Sequence, residues 1–176
     1  AKVIPSPEKG QRWRLADLEL PFNHLEPKTL GLGLTYLDHQ QDVGMASVLI
    51  FEKNAPPSRL VDPIEHRDHL DYEAEIALLL HRREPNIFGF LLHNDLSDRL
   101  VQALSYDKKD PGPGFSKAKS FPTANAYGTL MAVGGESVWS DLMVELFWND
   151  VKVQSVSPKH NLLKPSEIHH LVFSKS

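Results

Sequence analysis

Short apolar runs separated by turn residues are the main pattern along this chain. The runs at residues 31–37, 47–51, 87–92 and 127–133 predict strands, and 142–148 with 151–154 predicts a hairpin that turns at Asn149 and Asp150. The segment 70–80 alternates at first and is then continuously apolar, which is typical of a strand entering a buried sheet, although a helix fits it too. Because 13 prolines and 10 glycines break the chain often, we expect an α+β fold dominated by strands, with short helices.

The predicted helices are few and short. Asp95 or Ser97 is a candidate cap for a helix over about 98–104, and Pro165 opens a C-terminal helix. Residues 38–42 fit a loop or a short, mobile helix, and the glycines and prolines of 110–114 predict a loop. Residues 1–28 are polar and punctuated by proline, so we expect an N-terminal arm or small element there and one domain at 29–176.

Composition narrows the classes of protein that remain. A net charge of -4 argues against a general nucleic-acid binder, because neutralising phosphates requires a basic surface. The absence of cysteine excludes disulfides, thiolate metal sites and a cysteine nucleophile, and it fits a cytoplasmic protein. No apolar run approaches the length that spans a bilayer, so we expect no membrane partner.

Three carboxylates are the first candidates for a site. Glu73 and Glu75 are two residues apart on a predicted strand, so their side chains should share a face, and Asp95 lies where an apolar strand stops. A hard divalent cation such as Mg²⁺ or Mn²⁺ would neutralise this cluster. A solvated strand face with a helix-capping aspartate explains the same spacing, because an isolated E-x-E pair is weakly specific.

A second group of candidates could act on a substrate. His39 and Asp42 are three residues apart, so the carboxylate could orient the imidazole as a general base for water; a histidine in a polar loop is the alternative. Lys119 follows a loop rich in glycine and proline, where a cation could reach a substrate carboxylate or an oxyanion, although Lys117 competes for that role. Either lysine could instead be solvated.

Two further pairs of residues have weaker signals. Arg99 and Gln102 follow Asp95 at helical spacing, so they could flank the same site or form the exposed face of the helix. His66 and His69 form an H-x-x-H pair that could bind zinc, but no further ligand cluster has a matching spacing.

Taken in order, these segments resemble the fumarylacetoacetate hydrolase family. GLTYLDH at 33–39 looks like the family's GLNYxxH segment, with Asp42 where the family usually has a glutamate. LDYEAE at 70–75 is similar to its LDYExE metal motif, and NDLSDR at 94–99, with a glutamine downstream, resembles NDxSxR. KSFPT at 119–123 resembles the KSFDT-type segment, the strand end at Lys53 resembles F-x-K, and the turn at 149–150 stands where the family has Asn-Gly. Several motifs in the right order, over roughly 31–155, are far more specific than any one alone.

The resemblance implies a mixed β-roll of the type of the family's C-terminal domain, usually dimeric, so we expect a homodimer. It implies a divalent-metal hydrolase that cleaves a carbon–carbon bond in a small 2,4-diketo acid, such as an acylpyruvate or a fumarylpyruvate-like compound. The implied ligands of Mg²⁺ or Mn²⁺ are Glu73, Glu75 and Asp95, and His39 with Asp42 would activate water on a closing lid. The residues implied to face the substrate are Lys119, Arg99, Gln102 and Tyr36.

Departures from the family pattern keep other interpretations open. Pro122 replaces an acidic or glycine position, Asp42 is one methylene shorter than glutamate, and 83–86 is abrupt where the family has a longer segment. The chain reaches Ser176 before the family's TGTP-type segment, so either the sequence continues or the protein is shortened and catalytically weakened. Decarboxylases, hydratases and isomerases of related keto acids use the same metal centre, and a non-catalytic binding protein could keep it.

Overall fold

The computed structural model describes residues 12–22, 27–43 and 47–174, without the side chains of His39, Asp42 and Val43. The strands in this part of the chain are β1 (Thr29–Gly33), β2 (Leu49–Lys53), β3 (Ser58–Arg59), β4 (Leu70–Asp71), β5 (Ala74–Leu80), β6 (Phe88–Asp95), β7 (Ser97–Asp98), β8 (Asn125–Gly134), β9 (Val144–Trp148) and β10 (Val151–Val156). The α-helices are α1 (Leu37–Val43), α2 (Arg99–Ser105), α3 (Gly112–Ala118), α4 (Glu136–Asp141) and α5 (Pro165–Phe173), and short 3₁₀ helices lie at Leu15–Asp17 and Pro158–His160. This strand-rich architecture with short helices confirms the predicted fold class.

A four-stranded mixed sheet organises the molecule. Its order is β3-β8-β6-β5, in which β5 and β8 both run antiparallel to β6 and β3 runs parallel to β8. The ladder between β6 and β8 has an irregularity between Leu91 and His93. Three two-stranded pairs surround this sheet: β1 with β2, β4 with β7, and β9 with β10.

Three apolar clusters hold these elements together. One face of the sheet packs Phe88 and Phe90 against Trp139 of α4. On a second cluster, Leu91 and Tyr127 pack with Leu20 and Phe22, which belong to the stretch expected to be an arm. The third cluster contains Ala55, Leu96, Phe121 and Ala124, the last two of which belong to the segment after α3.

The predicted domain boundary at residue 28 stays a prediction. None of the helices in the described ranges is long and apolar enough to cross a membrane.

Several predicted elements are confirmed by the structure. The 70–80 segment is extended rather than helical, although Tyr72 and Glu73 separate β4 from β5. The hairpin β9–β10 turns at Asn149 and Asp150, whose φ angles are 47° and 63°. Helix α5 begins at Pro165, as predicted.

Other predicted boundaries were wrong, for identifiable reasons. The strand expected over 31–37 ends at Gly33, because Leu34 adopts a φ of 60° and Leu37 already begins α1. The strand expected to stop at residue 92 runs on to Asp95, whose backbone still pairs with β8. Part of the expected loop at 110–114 is the start of α3, since Pro113 lies in the first turn, where the missing N–H costs no hydrogen bond.

The cap of α2 was also misassigned. Asp98, rather than Asp95 or Ser97, accepts the hydrogen bond from the Val101 backbone N–H at 3.0 Å. Ser97 donates instead to the Asp95 carbonyl at 3.1 Å. Because Asp98 caps α2, the Asp95 carboxylate remains available for other contacts.

Candidate metal centre

Three carboxylates converge where β5 begins and β6 ends. Glu75 on β5 pairs directly with His93 on β6, and Asp95 is the last residue of β6. Glu73 lies just before β5, where its carbonyl accepts from the Asp95 N–H at 2.9 Å. One carboxylate oxygen from each of Glu73, Glu75 and Asp95 lies within 4.8 Å of the others. The three side chains therefore lie close together, as their spacing predicts, although Glu73 comes just before β5 rather than on it.

The chemistry and spacing of these oxygens suit a hard divalent cation. Mg²⁺ takes oxygen ligands at about 2.1 Å, so two of its ligands lie at most about 4.2 Å apart. Since the three oxygens are already within 4.8 Å, small side-chain rotations would bring them to that range. Among the described residues this is the one group of three potential ligands that close, so the predicted Glu73, Glu75 and Asp95 set fits Mg²⁺ or Mn²⁺.

Two buried lysines also contact the carboxylates. Lys119 donates at 2.6 Å to Glu73 Oε2 and at 2.6 Å to Asp95 Oδ2. Lys53 donates to Asp95 Oδ1 and, at 3.2 Å, to the Ala124 carbonyl. Lys53 and Lys119 are 5% and 2% exposed, so these ion pairs are shielded from water. Lys117 is exposed on α3, so of the two lysines that compete for this role in the sequence, Lys119 is the one at the carboxylates.

Burial and neighbouring charge compete in setting the charges here. Burial alone would raise the pKa of Asp95, but the charges of Lys119 and Lys53 outweigh it and lower that pKa. For Lys119, burial would lower the pKa, yet Asp95 and Glu73 raise it, so the ammonium is held charged. Burial lowers the pKa of Lys53, more than Asp95 can offset.

Glu75 lies in a different environment from Asp95. Burial by the surrounding protein atoms raises the pKa of its carboxyl, and the Asp95 carboxylate raises it further, although 42% of the side chain is accessible to solvent. Its charged form is therefore less stabilised than that of Asp95, whose pKa is lowered. A bound cation would compensate the negative charge of Glu75, so this carboxylate can serve as the third ligand beside Glu73 and Asp95.

Arg99 closes the rim of the centre. It donates to Glu73 Oε1 at 2.5 Å, to Asp71 Oδ2 at 2.8 Å and to Gln102 Oε1 at 2.7 Å. The predicted Arg99 and Gln102 thus lie together at the carboxylate cluster rather than on an unrelated helix face. The Arg99 guanidinium also orients Glu73 from the side opposite Lys119.

A cleft of about 740 Å³ lies between the start of α1 and the segment after β10. Tyr36, predicted to face the substrate, lines it with Ser157 and His160. Burial raises the pKa of the Tyr36 hydroxyl; the hydrogen bond with Asn161 acts in the opposite direction, and the charges of Glu75 and Asp38 add to the rise. The residue before Tyr36 is also held across the cleft, because the Leu162 N–H donates to the Thr35 carbonyl at 2.7 Å and Asn161 Nδ2 donates to Thr35 Oγ1 at 3.1 Å.

The remaining predicted residues divide into two cases. His39 and Asp42 lie three residues apart in α1, but their side chains are outside the described residues, so the water-activating pair stays a prediction. His66 and His69 belong to no group of three close ligands in the described ranges, so nothing supports the zinc alternative.

The roles of three residues at the candidate centre were not predicted from the sequence. Lys53 had a detectable signal, because it occupies the buried register of β2, in which Phe51 and Lys53 alternate with exposed neighbours. His93 and Gln154 had none: the first is a single histidine after an apolar run, and the second reaches from β10 to the backbone of Ala74. Long-range contacts of this kind leave no local pattern.

Comparisons with known proteins agree with this fold. The family model described as fumarylacetoacetate (FAA) hydrolase C-terminal matches residues 28–174. A fumarylacetoacetate hydrolase from the psychrophilic Exiguobacterium antarcticum is 24% identical to this chain, with a TM-score of 0.62. The match covers 82% of this chain and 56% of the chain of that enzyme. A family protein from Yersinia pestis CO92 is 18% identical with a TM-score of 0.61, over 88% of this chain and 75% of its own. A protein described as a fumarylpyruvate hydrolase from Burkholderia cenocepacia is 17% identical with a TM-score of 0.59, and the match covers 88% of this chain and 74% of that protein's chain. The search of curated proteins found no match.

Proposed function

This chain belongs to the fumarylacetoacetate hydrolase family, and on that premise we propose that it is a divalent-metal-dependent hydrolase of a small 2,4-diketo acid. The bond cleaved is a carbon–carbon bond, and the substrate is an acylpyruvate or a fumarylpyruvate-like compound. The chain spans only 56% of the Exiguobacterium enzyme, so activity and substrate belong to this proposal rather than to the family assignment.

One observation carries the proposal. The oxygens of Glu73, Glu75 and Asp95 converge within 4.8 Å, and Lys119 bridges two of those carboxylates at 2.6 Å. A bound Mg²⁺ or Mn²⁺ would act as a Lewis acid toward the carboxylate and keto oxygens of a 2-keto acid. The three carboxylates would hold such a cation, and Lys119, which contacts two of them, would stabilise the negative charge that develops on the substrate.

The proposed reaction is a hydrolysis that yields a 2-keto acid and a carboxylic acid. Water adds to the carbonyl carbon distal to the keto acid, and the adjacent carbon–carbon bond breaks. The electron pair of that bond passes to the departing fragment as an enolate, which a proton converts into a 2-keto acid; the other product is a carboxylic acid. Lys119 stabilises the enolate oxygen, while His39, oriented by Asp42, takes the proton from the attacking water. Arg99, Gln102 and Tyr36 orient the substrate.

The test is turnover by the purified full chain. Acetylpyruvate and oxaloacetate are supplied with Mg²⁺, Mn²⁺ or EDTA, and pyruvate release is measured for the wild type and Glu73→Gln. We expect acetylpyruvate hydrolysis that requires the metal and falls about 100-fold or more in the variant, because a ligand and the partner of Lys119 are lost together.

Glu145→Gln is the matched control, since Glu145 also pairs with a lysine, at 2.8 Å from Lys152, but on the exposed hairpin. It should leave turnover unchanged. Preferred turnover of oxaloacetate would instead assign a decarboxylase, in which no water attacks and loss of His39 matters less. Pyruvate release that is insensitive to EDTA and to Glu73→Gln would overturn the metal mechanism.

The other expectations drawn from the sequence remain predictions. They are a homodimer, a cytoplasmic location and a small-molecule 2-keto acid as partner. Light scattering on the purified full chain would measure the oligomeric state directly.

A further inference from the structure

Thr123 has a backbone conformation that its side chain disfavours. Its φ angle is 68°, in the left-handed region that β-branched residues rarely adopt. The Phe121 carbonyl accepts from the Ala124 N–H at 3.0 Å, and Pro122 follows Phe121 with a φ that its ring fixes near about −65°. Proline at the second position and a positive φ at the third are typical of a type II turn, whose third position favours glycine. This turn, over 121–124, therefore has threonine where its geometry favours glycine.

The segment around residues 65–67 holds the 121–124 turn in place. Thr123 Oγ1 accepts from the Glu65 N–H at 2.8 Å, a hydrogen bond for which glycine has no acceptor. The Arg67 guanidinium lies over the ring of Phe121, 4.9 Å from its centroid, and that ring is buried in an apolar cluster. A strained backbone persists only where the surrounding contacts fix it, and such residues are concentrated at functional sites.

The turn joins two segments that contact the carboxylate cluster. On its N-terminal side, Lys119 donates to Asp95 Oδ2 at 2.6 Å. On its C-terminal side, the Ala124 carbonyl accepts at 3.2 Å from Lys53 Nζ, which also donates to Asp95. The same carbonyl accepts at 3.2 Å from the N–H of Leu96, the residue after Asp95. The conformation of the turn therefore determines how both lysines meet Asp95.

We propose that Thr123 is a positioning residue for Lys119 and Lys53. Its left-handed backbone, held by the hydrogen bond from Glu65, closes the turn so that both ammonium groups reach the carboxylate of Asp95. Lys119 stabilises the enolate in the proposed function, and the inference rests on that function only for its effect on turnover. A displacement of about 1 Å at such a group can lower a rate about 100-fold.

The first experiment compares three variants of the full chain by acetylpyruvate turnover with Mg²⁺. Thr123→Val keeps the β-branched side chain but lacks the hydroxyl, so the strained backbone loses the hydrogen bond that holds it and should relax. We expect kcat to fall about 10–100-fold with KM nearly unchanged, because Lys119 acts on charge that develops in the transition state. Thr123→Ser keeps the hydroxyl, and Thr123→Gly adopts the same φ without steric cost, so both should keep kcat within about threefold.

Asn149→Val is the matched control. Asn149 has a φ of 47° in the exposed turn between β9 and β10, so valine is strained there as well. Both valine variants should lower the melting temperature, but only Thr123→Val should lower kcat. Equal kcat in the two valine variants would overturn the inference, as a merely structural role predicts it. Equal loss of kcat in Thr123→Gly and Thr123→Val would also overturn it, because the turn conformation would then not be the cause.

A second measurement does not depend on turnover. Lys119 and Lys53 are buried, whereas Lys117 is exposed, so brief acetylation of the folded wild type should modify Lys117 and spare the other two. Tandem mass spectrometry measures the acetylated fraction of each lysine. That fraction should rise several-fold at Lys119 in folded Thr123→Val and stay at the wild-type level in Asn149→Val. Continued protection of Lys119 in Thr123→Val would overturn the positioning role.

The proposed function is tested separately, by the Mn²⁺ affinity of the wild type. The electron paramagnetic resonance signal of free Mn²⁺ and calorimetry both measure it. A wild type that binds no Mn²⁺ and releases no pyruvate would overturn the proposed function, and the protection of Lys119 would still decide whether the turn positions that lysine.

Discussion

The two faces of strand β6 differ in how they are buried. On one face, Phe88 and Phe90 pack against Trp139, but the burial ends at Leu92, which is 53% exposed. On the other face, Leu91 lies in an apolar cluster, and the burial continues through His93 and Asp95, which are 6% and 3% exposed. At the C-terminal end of β6 the apolar face is therefore exposed to solvent, whereas the ionisable face is buried.

This difference shows that two kinds of interaction bury the same strand. The apolar face is held by dispersion and water exclusion, whereas His93 and Asp95 are buried because hydrogen bonds and ion pairs satisfy every charged or polar group that they carry. The faces share one register, in which Glu75 pairs with His93 and Leu78 with Phe90. A slip by one residue would turn the carboxylate of Asp95 away from its lysines, so the apolar face helps to fix the position of the ionisable one.

Phe90→Ala tests the comparison with the largest expected effect on stability. Phe90 is 3% exposed and touches the rings of Phe88 and Trp139, at centroid distances of 6.2 and 6.1 Å. We expect the free energy of unfolding to fall by about 3–5 kcal/mol, measured by urea denaturation. In the fraction that remains folded at low temperature, Mn²⁺ affinity should stay within about twofold, because the ionisable face keeps its own contacts.

Leu130→Ala is the control for that change, since Leu130 on the neighbouring strand β8 is 67% exposed. It should change the free energy of unfolding by no more than about 0.5 kcal/mol. If Phe90→Ala weakened Mn²⁺ binding as strongly as it weakened the fold, the two faces would not be separable.

Much of the fold could be predicted because its signals are local. The apolar run of 74–80, the turn at Asn149 and Asp150, and Pro165 at a helix start each depend on a few neighbouring residues. The errors fall where a long-range contact decides the outcome. His93 to Asp95 read as the end of a strand, yet they stay in the sheet because β8 offers them a second ladder.

The candidate site could be predicted only through its charged residues. Glu73, Glu75 and Asp95 stand out because charge next to an apolar run is unusual, and Lys119 because it follows a loop rich in glycine and proline. Helix α4 and the role of Gln154 could not be anticipated, since Gln154 becomes important only when β10 lies beside β5. Likewise, the roles of His39 and Asp42 depend on side chains outside the described residues.

Gln154→Leu sharpens the comparison at the ionisable end, with an intermediate expected effect. Gln154 accepts from the Ala74 N–H at 3.0 Å and donates to the Ala74 carbonyl at 2.7 Å, between Glu73 and Glu75. Loss of both bonds leaves two backbone groups without these partners, so unfolding should cost about 1–3 kcal/mol less. Mn²⁺ should also bind several-fold more weakly, unlike in Phe90→Ala.

Ser155→Ala is the neighbouring control on β10, because Ser155 is exposed and its hydroxyl lies 3.5 Å from Glu145 on the same hairpin. It should leave both stability and Mn²⁺ affinity unchanged within error. Equal Mn²⁺ affinity in Gln154→Leu and the wild type would mean that the hairpin supports the sheet without supporting the carboxylates.

Asp150→Gly has the smallest expected effect and touches neither face of β6. Asp150 has a φ of 63° in the two-residue turn between β9 and β10, a conformation that glycine adopts without steric cost. Relief of that cost outweighs the greater freedom of glycine in the unfolded chain, so the free energy of unfolding should rise by about 0.5 kcal/mol in urea denaturation. Asp141→Gly places the same substitution at the exposed last residue of α4, where glycine should instead destabilise by about 0.5–1 kcal/mol. Opposite signs for the two variants, with unchanged Mn²⁺ affinity in both, would show that the turn conformation and not the loss of a charge governs the result; a destabilised Asp150→Gly would show that the aspartate side chain stabilises the turn.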